Sequence, residues 1–333
     1  MKAQFGQFKW AGTSAAAFRH QLHSQLSLGL AMFAIFVSTV AAQTPQHSFP
    51  IRQGSQPFAI TMGADGNYWF TLPNNSEVAR ITPRGVITYF TTPSQSSPQF
   101  ITLGSDGNIW FTEGANGKIA SITPAGVVKE HQFSVSGVSV GITSGSDSNI
   151  WFTDQGDGAV WRYGLGRGTF TEYLLLTSNS APGDITTAAN GNMWFTEQGT
   201  SMLGRITSRG LVTEFPMADA PISVASGPDG NIWVASAFSP KITRVISETF
   251  GTNELTDFPT PNQPTIIRPG NGNNLLFTEF SANKIGSITV MGVVTESPEF
   301  VRSSPTGITA GVGDEVWFLG SSSDRVYETV VPR

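Results

Sequence analysis

The sequence has no cysteine among its 333 residues. This absence excludes disulfide bonds, thiolate metal ligands and cysteine nucleophiles. Charged residues are also scarce, at 13% of the chain, and the formal net charge is −5. Such a chain lacks the broad basic surface that holds phosphate backbones, so we expect no nucleic-acid partner.

Long apolar runs are missing from most of the chain, and the one clear run, Leu26 to Val40, lies near the N-terminus. Basic residues precede this run, and Ala41 and Ala42 end it. This layout is typical of a secretory signal, so we predict a signal peptide over residues 1–42 with cleavage after Ala42. The alternative is an uncleaved N-terminal anchor, although the run is shorter than the ~20 residues that span a bilayer. In both cases the remaining chain is expected to be periplasmic or secreted, and after cleavage it would not contact the membrane.

Glycine and proline are abundant, at 36 and 20 residues, and 23 Phe and 8 Trp supply a core. A tryptophan recurs at nearly constant spacing, and a leucine replaces it once. The positions are Trp69, Trp110, Trp151, Trp194, Trp233, Leu276 and Trp317, which are 41, 41, 43, 39, 43 and 41 residues apart. Seven units of this length fill the chain after residue 42, so residues 43–333 are predicted to be a single repeat domain.

Within one unit the apolar period is two, and turn residues divide the unit into four short strands. In the second unit the predicted strands cover 100–103, 109–112, 118–123 and 127–131. Asp106, Gly107 and Asn108 form a hairpin signal between the first two strands. Four antiparallel strands in about 41 residues are typical of a propeller blade. The predicted fold is therefore all-β, a seven-bladed β-propeller.

The repeated residues have structural interpretations. The Trp-Phe pairs are expected to fill the space between blades, and the Asp-Gly-Asn tripeptides are expected to be turns, not calcium loops. The last unit lacks a clear fourth strand, and residues 46–50 resemble that strand. We therefore predict that the N-terminal strand completes the last blade and closes the ring.

The repeat resembles that of the virginiamycin B lyase (streptogramin lyase) family. The consensus is legible in residues 98–130 and 264–296, and the resemblance covers residues 46–330. It implies a propeller that opens a cyclic depsipeptide antibiotic by elimination at a C–O ester bond, assisted by Mg²⁺. It also implies histidines in Pro-His-x-Ile segments at the starts of innermost strands, with glutamates nearby.

This sequence departs from the family pattern at those positions. The seven equivalent residues are Phe58, Gln99, Val140, Gly183, Ile222, Thr265 and Thr306, and none is histidine. Ser304 stands where one glutamate is expected, and the other falls near Gly320 and Ser321. The histidines after residue 42, His47 and His131, fall on predicted outer strands. We therefore predict no catalytic residues, no metal ligands and no cofactor, with Mg²⁺ relevant only if the lyase reaction is retained.

Acidic residues follow the second strand of several units, at Glu113, Asp154, Glu197 and Glu279. Such acids could hold a cation, because hard metal ions prefer oxygen ligands. The favoured interpretation is structural: they accept hydrogen bonds from loop amides or pair with lysines such as Lys118 and Lys284.

Two charged residues, Asp184 and Arg268, stand on predicted innermost strands where other units have uncharged residues such as Ala59, Phe100, Gly141 and Thr309. A charge there needs a partner or water. The predicted ligand-binding pocket at the axis combines them with polar neighbours, as Gln99, Asp184, Thr265, Arg268 and Thr306. The sequence thus predicts a monomeric binding protein for a small molecule, peptide or glycan. The alternative is a Mg²⁺-dependent C–O lyase or a lactone hydrolase with a catalytic set built without histidine.

Overall fold

The computed structural model describes residues 47–114, 117–134, 137–246 and 254–331. All of the regular structure in these segments is β-strand apart from two short 3₁₀ turns, Pro73–Asn75 and Phe280–Ala282. The strands form seven four-stranded antiparallel sheets, which confirms the predicted propeller. The predicted signal peptide lies outside the described residues. Within the described segments there is no helix of the length and apolarity that a membrane crossing requires.

The first three blades follow the chain from the innermost to the outermost strand. Blade I comprises β2 (Ile60–Met62), β3 (Tyr68–Leu72), β4 (Glu77–Ile81) and β5 (Ile87–Thr91). Blade II comprises β6 (Ile101–Leu103), β7 (Ile109–Thr112), β8 (Lys118–Ile122) and β9 (Val128–Gln132). Blade III comprises β10 (Ser139–Ser144), β11 (Ile150–Asp154), β12 (Ala159–Gly164) and β13 (Thr169–Leu174). The strand bounds predicted for blade II are correct to within one residue at each end.

The next three blades repeat this order. Blade IV comprises β14 (Pro182–Thr187), β15 (Met193–Glu197), β16 (Met202–Ile206) and β17 (Val212–Pro216). Blade V comprises β18 (Pro221–Ser226), β19 (Ile232–Ser236), β20 (Lys241–Val245) and β21 (Leu255–Pro259). Blade VI comprises β22 (Ile267–Pro269), β23 (Asn274–Glu279), β24 (Lys284–Thr289) and β25 (Val294–Glu296).

Blade VII is built from both ends of the described chain. It comprises β26 (Pro305–Ala310), β27 (Glu315–Gly320) and β28 (Arg325–Val330), and β1 (His47–Pro50) pairs with β28 as its outermost strand. Phe49 on β1 stacks on Trp317 of β27 with the ring centroids 5.7 Å apart. The Phe49 ring also packs against Gly85 of blade I, so closely that a Cβ at that position would clash with the ring. The predicted closure of the ring by the N-terminal strand is confirmed.

The repeated tryptophans lie between neighbouring sheets, as predicted. The six Trp side chains are at most 2% exposed, and Leu276, which replaces the seventh, is 4% exposed. In blade II the Trp110 indole N–H donates to Asp106 of the preceding turn at 3.1 Å. A Cβ on Gly104 would lie within 2.6 Å of both side chains, so only glycine fits there. The Asp-Gly-Asn segments are therefore turns that also anchor the tryptophan.

The innermost strands, β2, β6, β10, β14, β18, β22 and β26, surround the axis. Each contacts the innermost strands of its two neighbouring blades, and β26 contacts β2, which closes the ring. An innermost strand is an edge strand with no strand partner on its axial side. Alternate residues therefore direct their backbone N–H and C=O groups toward the channel. This geometry makes the channel wall polar even where the side chains are apolar.

Candidate functional site

A cavity of about 500 Å³ occupies the channel, toward the ends of the innermost strands at which the Asp-Gly-Asn turns lie. Threonine side chains contribute to its wall from five blades: Thr61, Thr102, Thr143, Thr186 and Thr309. Arg268 occupies the equivalent position on β22. It pairs with Leu276 of β23, just as each of those threonines pairs with the tryptophan of its own blade. The cavity volume lies within the range that holds small ligands.

Aromatic residues from two blades meet beside the cavity. Phe58 and Phe100 pack edge to face, with their ring centroids 5.1 Å apart. A second cavity beside them, also bordered by Ile266 and Arg268, measures only about 10 Å³. That volume is close to the minimum for one water molecule. Arg268 borders both cavities, so it lies where the two adjoin.

Arg268 and Asp184 form an ion pair across blade V. Arg268 Nη1 lies 2.8 Å from Asp184 Oδ2, and Nη2 lies 3.3 Å from Oδ1. Ser223 of the intervening blade donates its hydroxyl to Asp184 Oδ2 at 2.6 Å and accepts from Arg268 Nη1 at 3.1 Å. Three blades thus contribute one side chain each to a single hydrogen-bonded cluster.

Backbone amides complete the surroundings of the Asp184 carboxylate, which is 2% exposed. Ile185 N–H donates to Oδ1 and Val224 N–H donates to Oδ2, each at 3.1 Å. A buried carboxylate with a forked guanidinium and three further donors is well compensated for its lost hydration. The carboxylate is held rigidly, and it is satisfied entirely from within the protein.

The other three predicted pocket residues lie toward the opposite ends of the innermost strands. Gln99 precedes β6, and its carbonyl accepts from Thr71 Oγ1 at 2.7 Å. Thr265 precedes β22, and its backbone N–H donates to Thr278. Thr306 donates its hydroxyl to the Pro57 carbonyl at 2.8 Å. The structure brings Asp184 and Arg268 together, whereas these three residues are not among those that line the 500 Å³ cavity.

Neither Ser223 nor the five threonines that line the cavity were predicted from the sequence. Ser223 is fully buried in blade V, and it bonds to both Asp184 of blade IV and Arg268 of blade VI. A comparison of equivalent positions in adjacent units could have found it, because adjacent blades place those positions side by side. The threonines belong to the repeat consensus, so none of them carries an individual signal.

The four recurrent acids, Glu113, Asp154, Glu197 and Glu279, are fully buried. Asp154 Oδ1 accepts from the Val138 and Gly156 amides at 2.8 and 3.0 Å, which confirms its structural interpretation. Lysines were the alternative partners in that interpretation, and the structure shows them paired with other glutamates. Lys118 and Lys284 form their ion pairs with outer-strand glutamates, Glu130 and Glu296, at 2.7 and 2.8 Å. The reason is that these glutamates are less buried and can be approached by a flexible ammonium group.

Blade IV has the same pair of glutamates but no lysine. Met202 stands at the first position of β16, where β8 and β24 have Lys118 and Lys284. Burial and then the nearby charge of Glu214 raise the pKa of Glu197 to about 8. In blade II, burial raises the pKa of Glu113 to about 7, with Lys118 opposing the rise. In blade VI, burial and then Glu296 raise the pKa of Glu279 to about 8 although Lys284 opposes the rise, so burial, and not the missing lysine, accounts for the high pKa of Glu197.

The two described histidines lie at the rim. His131 on β9 stacks on Trp110 at 5.0 Å between ring centroids, and its Nδ1 lies 2.9 Å from the Tyr163 hydroxyl. Burial lowers the pKa of His131 to about 4. His47 on β1 lies 3.0 Å from Glu328. Both positions agree with the predicted outer strands and lie away from the residues of the channel cavity.

The side chains at the family positions do not fit a magnesium ion. Thr306 and Ser304 carry hydroxyls in place of the expected imidazole and carboxylate, and the Ser304 hydroxyl accepts from Ser322 at 2.9 Å. Gly320 has no side chain to offer. Across the described segments, no group of three or more His, Asp or Glu side chains is arranged to hold a metal ion. No reaction step is therefore derived through a metal ion at these positions.

A model of the virginiamycin B lyase family matches residues 36–235 and 217–330, most of the chain. The chain belongs to the virginiamycin B lyase family. Solved structures agree with this assignment. Virginiamycin B lyase from Staphylococcus aureus is 31% identical, with a TM-score of 0.80, and the match covers 86% of this chain and 99% of that one.

Two further solved structures are similar to this family member. A streptogramin B lyase is 29% identical over 86% of this chain and 97% of that one, with a TM-score of 0.80. A catalytically inactive histidine-to-alanine variant of the Staphylococcus aureus lyase, solved with quinupristin, is 31% identical over 86% of this chain and 99% of that one, with a TM-score of 0.79. Replacement of one histidine by alanine is therefore enough to make that enzyme catalytically inactive.

More distant similarity concerns the fold alone. Hydrazine synthase from Kuenenia stuttgartiensis is 12% identical over 89% of this chain and 99% of that one, with a TM-score of 0.69. No curated protein sequence matches this family member.

Proposed function

We propose that this family member is an exported binding protein that holds a small ligand in the channel at the propeller axis. The observation that carries the proposal is the Asp184–Ser223–Arg268 cluster, which fixes one guanidinium in the wall of a 500 Å³ cavity. Concave pockets of this volume with a few rigid polar groups are typical ligand sites. The ligand would be a small molecule, a short peptide or a glycan fragment.

The positions of the histidines support binding without elimination. Elimination next to a carbonyl needs a base that reaches the proton it removes. His131 is held between Trp110 and Tyr163, and His47 is on the outermost strand of blade VII. The residue types at the family positions, including Thr265 and Thr306, have no basic group.

Export is part of the proposal and rests on the residues before the propeller. The run from Leu26 to Val40 follows basic residues and ends in Ala41 and Ala42. Mass spectrometry of the protein recovered from its host would find an N-terminus at Gln43. Recovery of the intact chain in a membrane fraction would instead favour the uncleaved anchor.

The second candidate is catalysis of the family type, a C–O lyase or a related lactone hydrolase. The 31% identity to a virginiamycin B lyase over 86% of this chain favours it. The buried glutamic acids would then have to supply the acid and base groups, because their raised pKa values make them proton carriers near neutral pH.

One assay discriminates the two functions. Quinupristin is incubated with the protein, with and without Mg²⁺, and the products are followed by mass spectrometry. The Staphylococcus aureus lyase is the positive control, and its inactive histidine-to-alanine variant is the negative control. We expect intact quinupristin, as with the inactive variant. Ring opening that disappears on addition of chelator would overturn the binding-only function.

A further inference from the structure

The polar groups of the channel wall are occupied on one side of the axis. In blades IV and V the amides of Ile185 and Val224 donate to Asp184, each at 3.1 Å. In blade VI the Ile267 amide donates to Ser223 Oγ, also at 3.1 Å. The side chains of the cluster thus take up the channel-facing donors of three consecutive blades.

The other side of the channel is different. In blades VII, I, II and III the corresponding amides belong to Ile308, Ile60, Ile101 and Ile142, and all four residues line the cavity. Among the described residues, no side chain accepts a hydrogen bond from these amides. Their N–H groups face the cavity because each innermost strand has a partner only on its outer side. This half of the wall can donate to a ligand.

Arg268 has donors left for a ligand. Of the residues that line the cavity in the described part of the chain, it is the one with a charge, and its side chain is 27% exposed. Nη1 contacts Asp184, Ser223 and the Ile267 carbonyl, and Nη2 contacts Asp184. A guanidinium has five N–H groups in a fixed fork. Its Nε–H and the second Nη2–H form the side edge of that fork and contact no acceptor in the described segments.

Apolar side chains lie on the same side of the cavity as the available amides. Met62 and Leu103 line it from the ends of β2 and β6, and Ala310 lines it from β26. A ligand with a charged head and a short apolar body would bury that body here, away from water.

We propose that the cavity binds a small monocarboxylate, whose oxygens accept from the side edge of Arg268 and from channel-facing amides, and whose apolar body packs on Met62 and Leu103. This inference rests on the proposed binding function and specifies its ligand class. A planar carboxylate matches the two parallel donors of a guanidinium edge. A dianion such as phosphate fits poorly, because Asp184 already balances the charge of Arg268.

The test uses benzoate, its neutral isostere benzamide, and glucose as a neutral polyol, each measured by isothermal titration calorimetry on the full chain. Benzamide matches benzoate in size but carries no charge, and glucose offers hydrogen-bonding groups without a charge. We expect benzoate to bind at least about tenfold more tightly than benzamide, because hydrogen bonds to a charged acceptor are roughly twice as strong as neutral ones.

The variants restore the repeat consensus. The double variant Asp184→Ala with Arg268→Thr uses the residues that blade I has at these positions, Ala59 and Thr61. It removes both charges together, so no buried charge is left unpaired. We expect it to retain its melting temperature within a few degrees and to lose benzoate binding. Leu103→Ala should weaken benzoate while leaving the binding of acetate, which lacks the ring, unchanged. Met291→Ala, at an exposed position outside the cavity, should change neither.

The outcomes separate the ligand class from the binding function. Equal binding of benzoate and benzamide, or benzoate binding retained by the folded double variant, would overturn the carboxylate assignment and leave an axial binding site. Binding of glucose alone would have the same meaning. Failure of all three probes at millimolar concentration, with the wild-type protein folded, would overturn both the carboxylate assignment and the axial binding function.

Discussion

The rim of this propeller, meaning the blades outside their innermost strands, is held by contacts that recur between blades, whereas the axis has contacts that do not recur. At the rim, the same contacts recur from blade to blade: Trp69, Trp110, Trp151 and Trp233 each donate an indole N–H to a turn aspartate. At the axis, one cluster of Asp184, Ser223 and Arg268 has no counterpart in the described strands of blades I, II, III and VII. These contacts recur in blades I, II, III and V and stabilise those blades alike, so they carry no information about a ligand. The unrepeated cluster breaks the sevenfold symmetry and gives the channel two different sides.

The largest effect is expected at the axis, from removing one partner of the ion pair. Arg268→Thr leaves the Asp184 carboxylate buried without its cation, which should lower the free energy of unfolding by about 3 kcal/mol. The double variant Asp184→Ala with Arg268→Thr should recover most of that loss. Urea denaturation of the wild type and both variants measures this. Equal stability of the wild type and the single variant would mean that the axis is as tolerant as an exposed surface.

An intermediate effect is expected at the rim, from opening the ring. A chain that starts at residue 51 loses β1 and the stacking of Phe49 on Trp317. Loss of this half-buried aromatic should lower the free energy of unfolding by about 2 kcal/mol, and the melting temperature should fall by several degrees. A chain that starts at residue 47 keeps β1 and should melt like the longer protein. Identical melting of the two chains would show that closure does not depend on this strand.

The smallest effect is expected between two blades of the rim that differ in one charge. Because burial raises the pKa of Glu197 from its ordinary value of 4.5 to about 8, the folded protein binds more protons than the unfolded chain between these pH values. Stability therefore falls as pH rises through that interval. Glu197→Gln removes the titrating group, so it should flatten this fall and leave the variant more stable than the wild type at pH 8. Thermal melts across this pH range measure the slope.

Glu113→Gln in blade II is the matched control for that measurement. Burial raises the pKa of Glu113 to about 7, less than in blade IV, and Lys118 opposes the rise. Its variant should flatten the slope less. If Glu113→Gln flattened the slope more than Glu197→Gln, the assignment of the higher pKa to Glu197 would be wrong.

The fold is predictable because its determinants are local and repeated. The spacing of Trp110 and Trp151, the Asp-Gly-Asn turns and the period-two strands each recur, so a departure at one unit, such as Leu276 in place of tryptophan, does not hide the pattern. Even the closing strand His47–Pro50 is predictable, since the last unit visibly lacks a strand that the N-terminus supplies.

The candidate site is only partly predictable. Asp184 and Arg268 stand out because they depart from the repeat. Their contact, however, joins residues 84 positions apart in the sequence, and it depends on how blades IV and VI lie on either side of blade V. The sequence alone does not show how far a side chain reaches toward the neighbouring blades. For the same reason the repeat pattern does not separate Gln99, Thr265 and Thr306 from that pair, although they lie toward the other ends of the innermost strands.

By itself, the sequence determined that this chain forms seven similar antiparallel blades, because turn residues and alternating apolar positions act over short distances and need no tertiary information. Only the tertiary structure decided which half of the channel keeps its backbone donors available. That choice depends on which amides the buried carboxylate reaches, and this follows from closing the blades into a ring.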